Sequence, residues 1–278
     1  MKIEKITPAI GAEISGISLN NLSAQECDDI YAALIEHKVI FFHDQGLTPQ
    51  AHIDFAKSFG EPEPPHPIYP SVAGYDNIVL LKTGPDSKPD ANDWHKDMTF
   101  KANPPFTSIL HAVNVPDVGG DTLWANTNTA YNALPKMWQD YLADKEAIHD
   151  IGTFRNDLYA KGGIEAVNNG LKNTGSAVHK IVGTHPVTGL KYLNINQSFT
   201  RHIMGEVQGE SDRILQFLYL HMAKPEFQVR LRWRNNTVAM WDNRITHHYA
   251  ISDYLPNVRH MQRVTVLHDK REPKDASN

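Results

Sequence analysis

The sequence predicts a mostly β fold with α additions, a double-stranded β-helix (jelly roll) core flanked by helices. Three observations predict it. From Asn77 onward, short apolar or alternating runs recur between turn residues, the pattern of β-strands. Two capped helical segments precede those runs, and a third falls late among them. With 278 residues and no internal repeat, the chain reads as a single domain, 1–278, large enough to bury a full core.

Taken in order, the first helix spans Ala24 to His37. Ile30, Leu34 and Ile35 lie on its apolar face, and Ser23 with Glu26 forms a capping box before it. Lys38–Asp44 (KVIFFHD) is a short apolar strand. Thr48-Pro49 opens a second helix that ends near Phe59-Gly60, with proline in its first turn and glycine beyond its end. Glu61–Pro70 (EPEPPHPIYP) holds too much proline for regular structure and is a loop. Strands follow at Asn77–Thr83, Thr107–Val113 and Asp121–Asn126. A helical and loop-rich insert runs from about Tyr131 to Val178, with a flexible tract at Asn168–Ser176, and is a candidate lid. Strand character returns at Thr184–Ile195, Phe227–Asn243 and Arg259–Asp269, with Asn235-Asn236 as a hairpin turn and a helix over Ser211–Met222. The tail, 270–278, is polar and frays.

Composition excludes several classes. A formal charge of −5 leaves no basic stripe for nucleic acid. No run approaches the ~20 apolar residues that cross a bilayer, and the acidic N-terminus is no signal peptide, so a cytoplasmic protein is expected. The single cysteine, Cys27, rules out an intrachain disulfide or a cysteine-based metal site, and it reads as an inert thiol. Any metal must therefore sit among histidines and carboxylates, and the chain has 15 histidines.

Trp94–Phe100 (WHKDMTF) holds the sharpest chemical signal. On a strand, residues i and i+2 face one side, so His95 and Asp97 point together into one cavity. A histidine from a distant strand would complete the two-histidine, one-carboxylate facial triad of non-haem Fe(II) oxygenases, which leaves three metal positions open. Alone, the pair is a weak signal. Trp241–Tyr254 (WDNRITHHYAISDY) offers the third ligand: His247 and His248 are adjacent, so only one can face the metal. Arg259 and, four residues on, Arg263 follow at a spacing that lets strand arginines clamp a carboxylate two-pronged. Trp233 and Trp241 read as core packing.

With these motifs together, the chain resembles the taurine dioxygenase family of Fe(II)/2-oxoglutarate-dependent enzymes over essentially its whole length. ITPAIGAEISGISL, HPIYP, DWHKDMTF, GGDTLWAN, THPVTGLKYLN, KPEFQVRLRW and WDNRITHHYAISDYLP carry the likeness. The resemblance implies that His95, Asp97 and His248 bind Fe(II), with His247 where the family has glutamine, as a neighbouring or surface residue or an alternative ligand. It implies that Thr122 and Arg259 hold the distal carboxylate of 2-oxoglutarate, and that O2 is the oxidant. For a small sulfonate such as taurine it implies anion binding by Arg263, His66 and the Met98 amide, with Tyr69 near the amine end and Phe199 as an aromatic wall. Ala91 stands where the family has a substrate-facing asparagine. The implied reaction hydroxylates the carbon beside the anion and releases sulfite, an aldehyde, succinate and CO2. An alkyl sulfate, another organosulfonate or a carboxylate would fit the same anion site. A zinc hydrolase and a non-catalytic jelly-roll binding protein are the more distant alternatives. Relatives commonly form dimers or tetramers, which implies a homo-oligomer.

Overall fold

A computed structural model describes residues 1–66, 69–87 and 93–272. The chain begins with strands β1 (Lys2–Lys5) and β2 (Ala12–Ser15), then helix α1 (Ala24–His37) and strand β3 (Val39–Phe42). Ser23 caps α1 as expected: its hydroxyl accepts from the Glu26 amide, and the Glu26 carboxylate accepts from the Ser23 amide. Lys38, in the left-handed region at φ 67°, ends the helix by donating its amide to Leu34 O. Helix α2 (Pro49–Lys57) starts on the Thr48 cap, with proline at the position where a missing N–H costs nothing.

Strands β4 (Ser71–Val72), β5 (Tyr75–Thr83), β6 (Thr107–Asn114) and β7 (Thr122–Asn126) follow, then helices α3 (Thr127–Asn132) and α4 (Lys136–Leu142). Beyond them come β8 (Glu146–His149), helix α5 (Phe154–Thr174), β9 (Ala177–Lys180), β10 (Val182–Thr184), β11 (Lys191–Leu193) and β12 (Thr200–Ile203). Helix α6 (Gln208–Met222) precedes β13 (Gln228–Leu231), β14 (Val238–Asp242), β15 (Thr246–Ala250) and β16 (Arg259–Val266). Among the described residues no helix is long and apolar enough to cross a membrane.

Eight strands form the major sheet in the order β1-β2-β3-β14-β6-β16-β5-β4, and β13-β7-β15 form the minor sheet facing it. Their inner faces make the core of the jelly roll: Val39, Phe41, Ala239 and Trp241 from one sheet meet Trp124, Val229 and Leu231 from the other. Period-2 alternation sends Ile40, Phe42, Val238 and Met240 to the opposite face, where α1 and α2 cover them with Ile30, Leu34, Ile53 and Phe55. A third cluster joins α3 and α6 to the β8–β12 region through Tyr131, Leu142, Leu193 and Leu218.

Three expectations are corrected. The Asn235-Asn236 turn exists, with Asn236 at φ 63°, but it joins no hairpin. β13 pairs with β7 in the minor sheet and β14 with β6 and β3 in the major one. The turn is tied to the end of β6 instead, through Asn236 N to Ala112 O and Val115 N to the Asn235 side chain. Thr184–Ile195 is no single strand: it holds the end of β10 (Val182–Thr184), a turn closed by His185 N to Leu190 O, and β11 (Lys191–Leu193). The tract Asn168–Ser176 is helical to Thr174, because α5 kinks at Gly162-Gly163 and its second half returns along the first. Gly170 permits that return, since a Cβ there would stand 2.4 Å from Leu158 Cδ1.

Burial holds three histidines neutral: His52, wedged beside His111, His66, beside Arg263, and His149, beside His179, are each pushed down to about 3. Below about pH 6.5 the unfolded chain takes up protons that the folded chain refuses until about pH 3, so stability falls as pH drops through that window. Each such histidine contributes up to about 1.4 kcal/mol per pH unit. Urea midpoints at pH 7, 6, 5 and 4 should decline progressively, whereas a midpoint constant from pH 6.5 to 4.5 would contradict neutral burial.

Candidate metal centre and active site

The site forms where the strand-like run at His95 meets β15. His95 and His248 make an isolated antiparallel bridge and exchange both backbone hydrogen bonds, at 3.0 and 2.8 Å. That pairing brings the two imidazoles together, tilted by 52° with centroids 4.0 Å apart. One ligand atom from each of His95, Asp97 and His248 lies within 4.8 Å of the others, and the two Nε2 atoms are 3.9 and 3.7 Å from Asp97 Oδ1. The alternation expected from the sequence holds over three residues only. Lys96 points the other way and donates to Arg244 O at 2.8 Å, while Asp97 begins a turn and Met98 adopts φ 53°.

The polar surroundings fit a metal. His95 Nδ1 lies 2.8 Å from the Asp93 carbonyl, which can only accept, so Nδ1 carries the proton and the Nε2 lone pair faces the site. Ser108 donates to Asp97 Oδ2 at 2.7 Å, leaving Oδ1 toward both histidines. Asn243 grips the Asp97 backbone from both sides, accepting from its N–H at 2.8 Å and donating to its carbonyl at 3.1 Å. Burial alone would raise the Asp97 carboxyl, but the Arg263 guanidinium beside it holds it well below the usual carboxylate range. Burial, and then His95, keep His248 neutral, as a metal ligand must be.

All ten sequence-predicted site residues line one cavity of about 350 Å³. The triad and Met98 form one part of the wall, and Thr122 and Arg259 another. His66, Tyr69, Phe199 and Arg263 complete the set. Arg259 and Arg263 lie four residues apart on β16 and so share a face. Arg263 donates to Asp97 Oδ1 at 3.2 Å, while its Nε is buried without a partner among the described residues. Arg259 donates Nε to Gly120 O at 3.2 Å, and among the described residues no carboxylate comes within ion-pair distance of it. His66 Nδ1 accepts the Tyr69 amide at 3.2 Å, which puts the proton of the neutral ring on Nε2 as a donor.

Several contributors were not read from the sequence. Phe154, at the start of α5, brings the insert to the cavity and packs against Phe199 and Tyr69 at 5.5 and 6.1 Å between centroids. Asn196 shapes the turn that presents Phe199, accepting its amide at 2.9 Å. Trp241 lines the cavity with its ring 4.9 Å from His248, and Trp233 donates to Thr122 Oγ1, so neither is packing alone. His247 is buried on the side away from the triad and is no surface residue. Ala91 lies outside the described residues.

The family model for taurine catabolism dioxygenases, TauD and TfdA, matches residues 2–265. An alkylsulfatase of Acinetobacter baylyi is 37% identical, over 96% of this chain and 84% of its own. An alpha-ketoglutarate-dependent sulfate ester dioxygenase of Pseudomonas putida is also 37% identical, over 96% and 89%. A solved taurine dioxygenase structure from Burkholderia xenovorans superposes with a TM-score of 0.83 at 32% identity, covering 96% and 89% of the two chains.

Calorimetry with Co(II) or Mn(II) should show no tight binding to Asp97→Ala. Ser108→Ala should weaken binding about 10- to 100-fold, because the carboxylate loses the hydrogen bond that orients it. Ser108→Thr should restore the wild-type affinity. Equal affinity of Ser108→Ala and wild type would show that Ser108 does not set the carboxylate.

Proposed function

Because the chain belongs to the TauD, TfdA family of dioxygenases, we propose that it hydroxylates the carbon beside the anionic group of a small sulfonate such as taurine. The proposed metal is Fe(II), with 2-oxoglutarate as co-substrate and O2 as oxidant. One observation carries the residue assignment: two buried arginines, one without a carboxylate partner and one with an unpartnered Nε–H among the described residues, face the same cavity as a His-Asp-His triad. A buried cation without a partner is costly, so the cavity is built for anions. A zinc hydrolase would need the triad but has no use for two anion sites.

In this reading His95, Asp97 and His248 hold the metal and leave its remaining positions to the reactants. Bound Fe(II) supplies the activation of O2 that couples oxidative decarboxylation of 2-oxoglutarate to C–H hydroxylation. Arg259 and Thr122 fix the distal carboxylate of 2-oxoglutarate. Arg263, the His66 Nε2–H and the Met98 amide hold the sulfonate, and Tyr69, Phe199 and Phe154 wall off water from the reacting carbon. Such anchoring matters because an error of ~1 Å in placement costs ~100-fold in rate. The hydroxylated carbon then sheds sulfite and becomes an aldehyde, while 2-oxoglutarate leaves as succinate and CO2. The insert, reaching the cavity through Phe154, serves as its cover. The buried thiol of Cys27 asks for no oxidising compartment, which suits a cytoplasmic enzyme.

A second reading, the same chemistry on an alkyl sulfate, is favoured by the two relatives at 37% identity, both named for sulfate esters. The products separate the two. Enzyme with Fe(II) and 2-oxoglutarate should consume O2 and release sulfite from taurine in step with succinate. Sulfate released from an alkyl sulfate, with no sulfite from sulfonates, would select the second reading, and no substrate-dependent succinate from either would overturn both. Arg263→Gln should raise the KM for the anionic substrate at least about ten-fold while leaving that for 2-oxoglutarate within a few-fold.

A further inference from the structure

We propose that Trp233 is a positioning residue for the co-substrate, aiming both groups that take the distal carboxylate of 2-oxoglutarate. The inference rests on the assignment of Thr122 and Arg259 to that carboxylate. Trp233 is 4% exposed and stands behind the cavity wall, two residues past the end of β13, where Leu231 pairs with Thr122. Its Nε1 donates to Thr122 Oγ1 at 2.9 Å.

The direction of that bond matters. An indole N–H can donate but never accept, so the Thr122 oxygen is committed as the acceptor. The hydrogen of the Thr122 hydroxyl is then left for a different acceptor. Thr122 is 2% exposed and lines the cavity beside Arg259. A carboxylate, which only accepts, is the complement of a hydroxyl oriented in this way.

The same indole also supports the cation. The Arg259 guanidinium carbon lies 5.9 Å from the centre of the Trp233 ring, within cation–π reach. The Arg259 side chain also passes Gly120, where φ is +73° and a Cβ would stand 3.2 Å from Arg259 Cδ. The side chain is therefore positioned by an aromatic ring and a bare backbone before any anion arrives. Trp233 touches no reactant in this arrangement. It sets hydroxyl polarity through its N–H and guanidinium position through its ring, which lowers the ordering cost of binding.

A double-mutant cycle tests this with binding alone. The dissociation constant for 2-oxoglutarate is measured by calorimetry on Mn(II)-loaded wild type, Thr122→Val, Trp233→Phe and the double variant. Phenylalanine keeps an apolar ring in the core but deletes the N–H. Each single change should weaken binding about three- to ten-fold, and the double variant should bind within about two-fold of Thr122→Val. If Trp233→Phe binds 2-oxoglutarate like wild type, the inference is overturned. It is equally overturned if Trp233→Phe weakens binding by the same factor with and without Thr122, since packing rather than the hydroxyl would then be responsible. If Thr122→Val leaves affinity unchanged, the co-substrate assignment of Thr122 itself fails, a distinct result that takes the inference with it. Should Trp233→Phe not fold, the wild-type chain labelled with 15N-tryptophan and loaded with Zn(II) still decides the matter. One indole N–H resonance should move both on adding 2-oxoglutarate and on Thr122→Val, and the absence of any resonance sensitive to both would refute the proposal.

Discussion

A buried negative charge at Asp97 organises the centre of this molecule. A carboxylate removed from water must be matched on every side. Ser108 takes one oxygen, Arg263 and the two histidines face the other, and Asn243 holds the backbone on which the side chain stands. These partners come from β6, β16, β15 and the turn after β14, so the carboxylate can be satisfied only when both sheets are assembled. The metal site is thus a product of the sandwich and is not built by any single segment.

The same logic explains the arginines. β16 lies inside the major sheet between β6 and β5, where a charged side chain is normally a liability. Two arginines on its inner face mark the cavity as a place where stability yields to anion binding. Arg263 already donates to Asp97 Oδ1, so its guanidinium is partly committed to the carboxylate of the triad. Among the described residues Arg259 has no carboxylate within ion-pair distance, and the Gly120 carbonyl and the Trp233 ring set its position.

Much of this was legible along the chain. Ser23 and Glu26 gave the start of α1 because a capping box is a purely local device, and apolar runs located β3, β5, β6 and β7 within a residue or two. The ten candidate residues share one cavity, and it was the likeness to the taurine dioxygenase family over the whole chain that named them, since a His-x-Asp pair or a strand threonine is a weak signal alone. Asn235-Asn236 misled because a turn signal says that the chain bends and not which sheet receives it. The tract at Asn168 misled because polar, glycine-containing sequence there is held helical by its return along Leu158, a contact no local propensity contains. Ser108 did leave a trace, as a buried polar residue in an otherwise apolar central strand, but nothing local said which carboxylate it serves.

By itself, then, the sequence determined the chemical inventory: two histidines and an aspartate at ligand spacing, two arginines on one strand face, and a capped-helix and short-strand rhythm that suits a jelly roll. Each of those is a matter of residue type and period, which are local properties. The tertiary structure alone decided which hydroxyl donates to Asp97, which indole donates to Thr122, and which aromatic ring from a distant helix lines the pocket. Those pairings, Ser108 with Asp97, Trp233 with Thr122 and Phe154 with Phe199, join residues far apart in the chain, and hydrogen-bond direction and ring packing exist only once the two sheets have brought them together.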